Sequence, residues 1–214
     1  MKVTKYGHCC LLIEDKGVRV LTDPGSYTTA QNDVKDIHVV LITHEHGDHF
    51  HIESVKKILQ NNPEVLIVTN TSVNELLKKE NILNTKVVED GESFEYKGIV
   101  LNGHGNVHAL IHEEWPKVQN TGYMINERLY YPADAFHNPQ VPVEILALPV
   151  AGPWVNFSEA IDFAIEINPK KYFTVHDGGL NEYGLGPTNR VVPTILKNHG
   201  IEYVNLELNK ETEF

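Results

Sequence analysis

Short β-branched apolar runs separated by polar loops dominate the chain, and only a few stretches switch to the helical period. Strand-like runs fall at 17–21, 38–43, 65–68, 99–101, 122–125 and 129–131, then at 145–149, 172–175 and 203–206. Helical spacing of apolar positions predicts helices over 52–59 and 73–79, the latter behind Thr71 or Ser72 as cap. A third helix is expected from Asn156, whose Glu159 completes a capping box, to Ile167 ahead of Pro169. A fourth fits 190–199, with Pro193 near its first turn and Gly200 as its stop.

Strands fill the first half, and helices enter between later ones. That mixture predicts an α/β layered domain, and no linker, repeat or low-complexity stretch divides residues 1–214. A TIM barrel or Rossmann fold fits poorly. The repeated βα unit is missing, and no G-x-G-x-x-G loop follows the first strand.

Composition adds exclusions. The chain has 18 basic and 29 acidic residues, a net charge of -11, so non-specific attraction to nucleic acid is not expected. No window holds the roughly 18 apolar residues of a membrane span. Glu14 and Asp15 interrupt the N-terminal apolar run before it reaches leader length, which predicts a cytoplasmic setting. Cys9 and Cys10 are the only cysteines, so no disulfide framework exists. As neighbours on a strand they would face opposite sides of a buried sheet.

The histidines change the picture most. There are 12, and the run Thr43-His44-Glu45-His46-Gly47-Asp48-His49 lies directly between the 38–43 strand and the 52–59 helix. Open α/β layers place ligands in such loops. In extended backbone His44 and His46 point to one side and can share a cation. Asp48 and His49, past the Gly47 turn, can reach a second. Imidazole with carboxylate suits zinc, manganese or iron. Other ligand types recur at strand ends: Asp134 after 129–131, His176 after 172–175, and His108 after the strand holding Val100 and Leu101. Singly, each is as well read as a buried or surface polar residue; their recurrence favours ligation.

The H-x-H-x-D-H pattern of His44, His46, Asp48 and His49 resembles the metallo-β-lactamase superfamily. Gly7-His8-Cys9-Cys10, Thr22-Asp23-Pro24-Gly25, Val107 to His112, Asn120 to Tyr123, Leu146 to Trp154 and Val175-His176-Asp177 look like its ascorbate-6-phosphate lactonase-like branch. The resemblance spans nearly the whole chain. It implies a four-layer αββα sandwich with a two-metal site at one edge. His44, His46 and His108 would bind the first metal, Asp48, His49 and His176 the second, and Asp134 would bridge them. Two divalent ions are implied, Zn2+ foremost, with Mn2+ or Fe2+ fitting the same donors. The family has Gly-Asp at the bridging position, where this chain has Ala133-Asp134. His104 and His112 flank His108 at similar spacing and compete for its place.

The expected reaction is hydrolysis of an ester, lactone or phosphoester of a small metabolite by a hydroxide shared between the metals. Asp48 would orient the nucleophile, and Asp134 would share in catalysis as the bridge. His8 and His112 are the candidate proton donors, and Trp154 and Phe136 fit either a pocket wall or the core. Iron-dependent redox chemistry and a non-catalytic metal-binding role are the rival readings. Trp115 is a candidate interface residue.

Overall fold

The computed structural model describes residues 1–214. In chain order, strands β1 (Lys2–Gly7), β2 (Cys10–Asp15), β3 (Val18–Thr22) and β4 (Val39–Ile42) precede helix α1 (Ile52–Asn61). Strand β5 (Leu66–Thr69), helix α2 (Thr71–Lys79) and strand β6 (Thr85–Val87) follow. Then come β7 (Ser93–Tyr96), β8 (Ile99–His104), β9 (Gly122–Ile125), β10 (Leu129–Tyr131) and β11 (Ile145–Pro149). Helix α3 (Phe157–Ile167), β12 (Lys171–Val175), helix α4 (Glu182–Asn198), β13 (Glu202–Tyr203) and β14 (Glu211–Glu213) complete the chain. Two seven-stranded sheets result, ordered β14-β1-β2-β3-β4-β5-β6 and β13-β12-β11-β10-β9-β8-β7.

Alternation along the strands decides how these sheets stack. Leu11 and Ile13 of β2, with Val39 and Leu41 of β4, join the largest buried cluster. There they meet Ile145 and Ala147 of β11 and Phe173 and Val175 of β12, so this core lies between the sheets. The intervening Leu12, Val40 and Ile42 turn the other way and pack with Val55, Ile58, Val73 and Leu77 of α1 and α2. Leu146 and Leu148 do the same against Ala160, Phe163, Val192 and Leu196 of α3 and α4. Three apolar interfaces define four layers, αββα. Strands covered on both faces read as unbroken apolar runs, as β4 and β11 do. Cys9 joins the inter-sheet core while Cys10, at the start of β2, joins the helix-side cluster, so the thiols do face opposite ways.

Three local expectations need correction. Helix α4 begins at Glu182, not at residue 190, and Pro187 and Pro193 both lie inside it. Gly184, Gly186 and Pro187 look like a loop in the sequence. However, the Asn181 side chain accepts from the amides of Tyr183 and Gly184, and Thr188, Val192 and Leu196 form a buried stripe at four-residue spacing. The cap of α2 is Asn70, which accepts from Val73 N, in place of Thr71 or Ser72. The last strand of the second sheet is only Glu202–Tyr203, because its parallel pairing with β12 stops at Tyr172. The capping box on α3 forms as expected, between Asn156 and Glu159. No helix is long and apolar enough to cross a membrane.

Packing of the inter-sheet core sets the size of mutational effects. Leu41→Ala, at a wholly buried site, should cost about 2–5 kcal/mol in denaturant unfolding. Leu83→Ala, with Leu83 72% exposed, should stay within about 0.5 kcal/mol.

Candidate metal centre

Strand direction brings the polar residues to one edge. β3, β4 and β5 run parallel, and β1 shares their direction through the antiparallel β2. In the second sheet β10, β11 and β12 run parallel, and β8 shares their direction through β9. The C-terminal ends of β1, β3, β4, β8, β10 and β12 therefore deliver His8, Asp23, His44, His108, Asp134 and His176. Two backbone hydrogen bonds join the sheets there, His176 N to His8 O and Thr121 N to Thr43 O. Ligands outside the carboxyl ends of strands are the rule for open α/β sheets.

Two donor groups meet at this edge. One is His44, His46, His108 and Asp134; the other is His8, Asp48, His49 and His176. His44 Nε2 and His46 Nδ1 lie 3.1 Å apart, as expected of residues on one side of an extended segment. Asp134 sits between the groups. Its Oδ2 is 3.2 Å from His108 Nε2 and 2.9 Å from His176 Nε2, and its Oδ1 is 3.0 Å from His49 Nε2. Every residue expected to ligate is therefore present in one cluster. His104, which stacks edge-on to Tyr130, and His112, exposed on the 105–118 loop, join neither group.

Buried polar atoms test whether these residues fit metal. His49 Nε2, Asp134 Oδ1 and both ring nitrogens of His176 are sealed from solvent and make no hydrogen bond. Burying such groups unpaired costs several kcal/mol, and atoms 3.0 Å apart without hydrogen-bond geometry fit a shared cation. The donor set of these two groups, imidazole and carboxylate, suits Zn2+, Mn2+ or Fe2+, and the Cys9 thiol lies close to His49 and Asp134.

An outer layer fixes the inner one. Asp23 has no exposure and accepts from Thr43 N at 2.8 Å, Thr43 Oγ1 at 2.7 Å, His49 Nδ1 at 2.7 Å and the Tyr131 hydroxyl. The Nδ1 hydrogen of His49 is thereby committed to Asp23, and Nε2 turns to the site. His44 Nδ1 meets Thr43 Oγ1 and His108 Nδ1 meets Ala109 O. The Trp154 indole donates to Asp134 Oδ2 at 3.0 Å. Gly25 passes under this loop, where a Cβ would lie 1.7 Å from Asp48 O. Asp23, His8, Ala133 and His176 all have φ between 34° and 59°, a left-handed conformation costly for non-glycine residues. Ala133 adopts the conformation for which glycine is the unstrained choice, and Asp134 still reaches the site.

Electrostatics follow from burial and mutual contact. Burial holds His44 well below the usual histidine range, and neighbouring histidines deepen the shift. Burial alone would raise Asp134, yet His49 foremost, with the close His108 and His176 rings, holds it well below the carboxylate range. Asp48 is lowered in the same way: burial opposes ionisation, while His8 and His49 outweigh it. Burial pushes the Cys9 thiol, beneath His49 and Asp134, up to about 11.

Residues 2–176 match the family described as Beta-lactamase superfamily domain. The chain belongs to the β-lactamase superfamily. A Mycobacterium tuberculosis protein, Rv0786c, is 30% identical over 181 residues, covering 82% of this superfamily member and 84% of the relative. A Flavobacterium johnsoniae protein named UPF0173 metal-dependent hydrolase is 31% identical over 102 residues, covering 45% of this chain and 43% of the relative. Among solved structures, Igni18, a metallo hydrolase from Ignicoccus hospitalis, superposes with TM-score 0.76 at 17% identity, covering 100% and 98% of the two chains. The donor groups of this superfamily member are of the kind that hold divalent metal.

Asp23 is a site residue with no role expected from the sequence, whereas His8, expected as a proton donor, and Trp154, expected in a pocket wall or the core, bond to Asp48 and Asp134. Asp23 directly follows a strand, and that position is the signal that could have found it.

Two outcomes test the outer layer. Asp23→Asn should keep the secondary structure, lower the unfolding stability by about 1–3 kcal/mol and weaken metal binding about 10- to 100-fold in a chelator competition titration. Cys9 and Cys10 should resist a disulfide reagent at pH 8 in the native chain and react fast once it is unfolded.

Proposed function

We propose that this chain is a binuclear hydrolase that holds two divalent cations, zinc first among them, and cleaves an ester, lactone or phosphoester of a small metabolite. The observation that carries the reading is the pair of donor groups meeting at Asp134, with His49 Nε2 and Asp134 Oδ1 buried 3.0 Å apart and unbonded. His44, His46, His108 and Asp134 would hold one ion; Asp48, His49, His176 and Asp134 the other. When bound, the cations supply a hydroxide at neutral pH and polarise the oxygen of the electrophile.

The chain's own residues do the rest. Gly178 N donates to His8 Nδ1 at 3.1 Å, so that nitrogen carries no proton. His8 Nε2–H then faces Asp48 Oδ2 at 3.1 Å. This tautomer makes His8 a donor that aims Asp48, not a ligand. Asp48, at the cleft with 21% side-chain exposure, keeps its other oxygen free to orient the attacking water. Trp154 holds Asp134 from the opposite side and keeps the bridge dry. The cleft above them, of about 360 Å3, is at the small end of the range for small-molecule sites.

Mass spectrometry of protein purified without added metal should give about two equivalents of zinc or manganese. Turnover of p-nitrophenyl esters or bis-p-nitrophenyl phosphate should be lost with chelator and in His46→Ala, which keeps its circular dichroism. Retained activity in His46→Ala would refute the assignment. Iron with oxygen consumption would put redox chemistry in its place.

A further inference from the structure

A second cavity, of about 520 Å3, opens from the metal cleft and shares His46, His108 and Ile111 with it. The 105–118 loop builds most of its wall. Val107, Leu110, Ile111, Trp115, Pro116 and Phe136 supply the apolar part of a mixed lining. Val107, Leu110 and Trp115 are 50%, 61% and 58% exposed, so one loop leaves three large apolar side chains in water beside the mouth. Isolated exposed apolar residues are ordinary, but several around one cavity mark a surface that is covered in use.

Charge narrows what covers it. Lys117 is the only lysine or arginine lining either space, and the metal cleft has none. The one carboxylate of the larger cavity, Asp90, is engaged by Gly105 N at 2.7 Å. A phosphate on the substrate's distal part would find no arginine, one exposed lysine and the two exposed histidines His112 and His137, in a chain whose net charge is -11. An apolar chain would instead remove the lining from water at roughly a fourfold gain per methylene.

We propose that the substrate is a carboxylic ester bearing a medium-length apolar acyl chain, lodged against the 105–118 loop with its carbonyl at the metal cleft. The claim rests on the hydrolase reading above. One water is consumed. Its oxygen bonds to the acyl carbon as the ester C–O bond breaks, and the alcohol leaves with a proton. No oxidant or reductant takes part. The shared position of Ile111 makes it the junction between the reacting carbonyl and its chain.

Two series on the metal-loaded full chain test this. In the first, kcat/KM for p-nitrophenyl acetate, butyrate, hexanoate, octanoate and decanoate should climb roughly two- to fourfold per methylene before levelling off. In the second, the unreactive ketones 2-butanone to 2-decanone should bind with affinities that climb alike. Tryptophan fluorescence reads this binding, because Trp115 borders one space and Trp154 the other. Val118→Trp, which adds an indole to the wall of the larger cavity, should shrink the octanoate-to-acetate ratio at least about tenfold. Should that variant not fold, the ketone series on the native chain decides. Flat ketone affinities with esters of all lengths turned over alike would overturn the substrate class and leave the hydrolase reading standing. Turnover of bis-p-nitrophenyl phosphate but of no ester would overturn the ester claim alone, whereas turnover of neither would overturn the hydrolase reading and the ester claim with it.

Discussion

The hydrogen bonds to Asp23 hold together everything that the metal centre requires. Thr43 and His49 of the first sheet and Tyr131 of the second all donate to one carboxylate with no exposure to solvent. An ionised group in that position costs several kcal/mol of desolvation, which only a full set of donors offsets. The same bonds fix where the two sheets meet and which nitrogen His49 turns inward. The fold and the site therefore share a fastening, and loosening it affects both.

Strained backbone beside this fastening is held by packing and by a second clamp. Lys5 of β1 is nearly buried, and its ammonium donates to Thr174 O at 2.9 Å and to Asp177 Oδ2 at 2.6 Å. Those partners bracket His176, whose φ of 59° is unfavourable for a side chain with a Cβ. The left-handed turn lets His176 leave β12 and face the site. The surrounding inter-sheet core, the largest of the three apolar clusters, supplies the rigidity that such turns need.

Much of this was legible in the sequence, and the reasons differ by element. Runs such as Ile145–Pro149 are buried on both faces and announce themselves as unbroken apolar segments. His44 to His49 stand out because ligand types crowd one loop. Asp23 does not, since it is a single polar residue whose meaning comes from strands that are distant in sequence, and the same distance hid the contact of His8 with Asp48. The start of α4 was hidden because Gly184, Gly186 and Pro187 carry poor helix propensity, which tertiary burial of Thr188, Val192 and Leu196 overrides. Choosing His108 over His104 and His112 needed the path of the 105–118 loop, which periodicity does not encode.

The donors come from segments spread from His8 to His176, and this has a consequence for the order in which the protein is made. A chain growing from its N-terminus has synthesised His44, His46, His108 and Asp134 once residue 134 has been added. Its other donor group waits for β12, and hence for residue 176, before it exists at all. Because β12 is paired between β11 and β13, that strand is fully framed only when the last fifth of the chain has joined the sheet. The two halves of one centre thus have different birth dates, and the younger half is tied to completion of the sandwich.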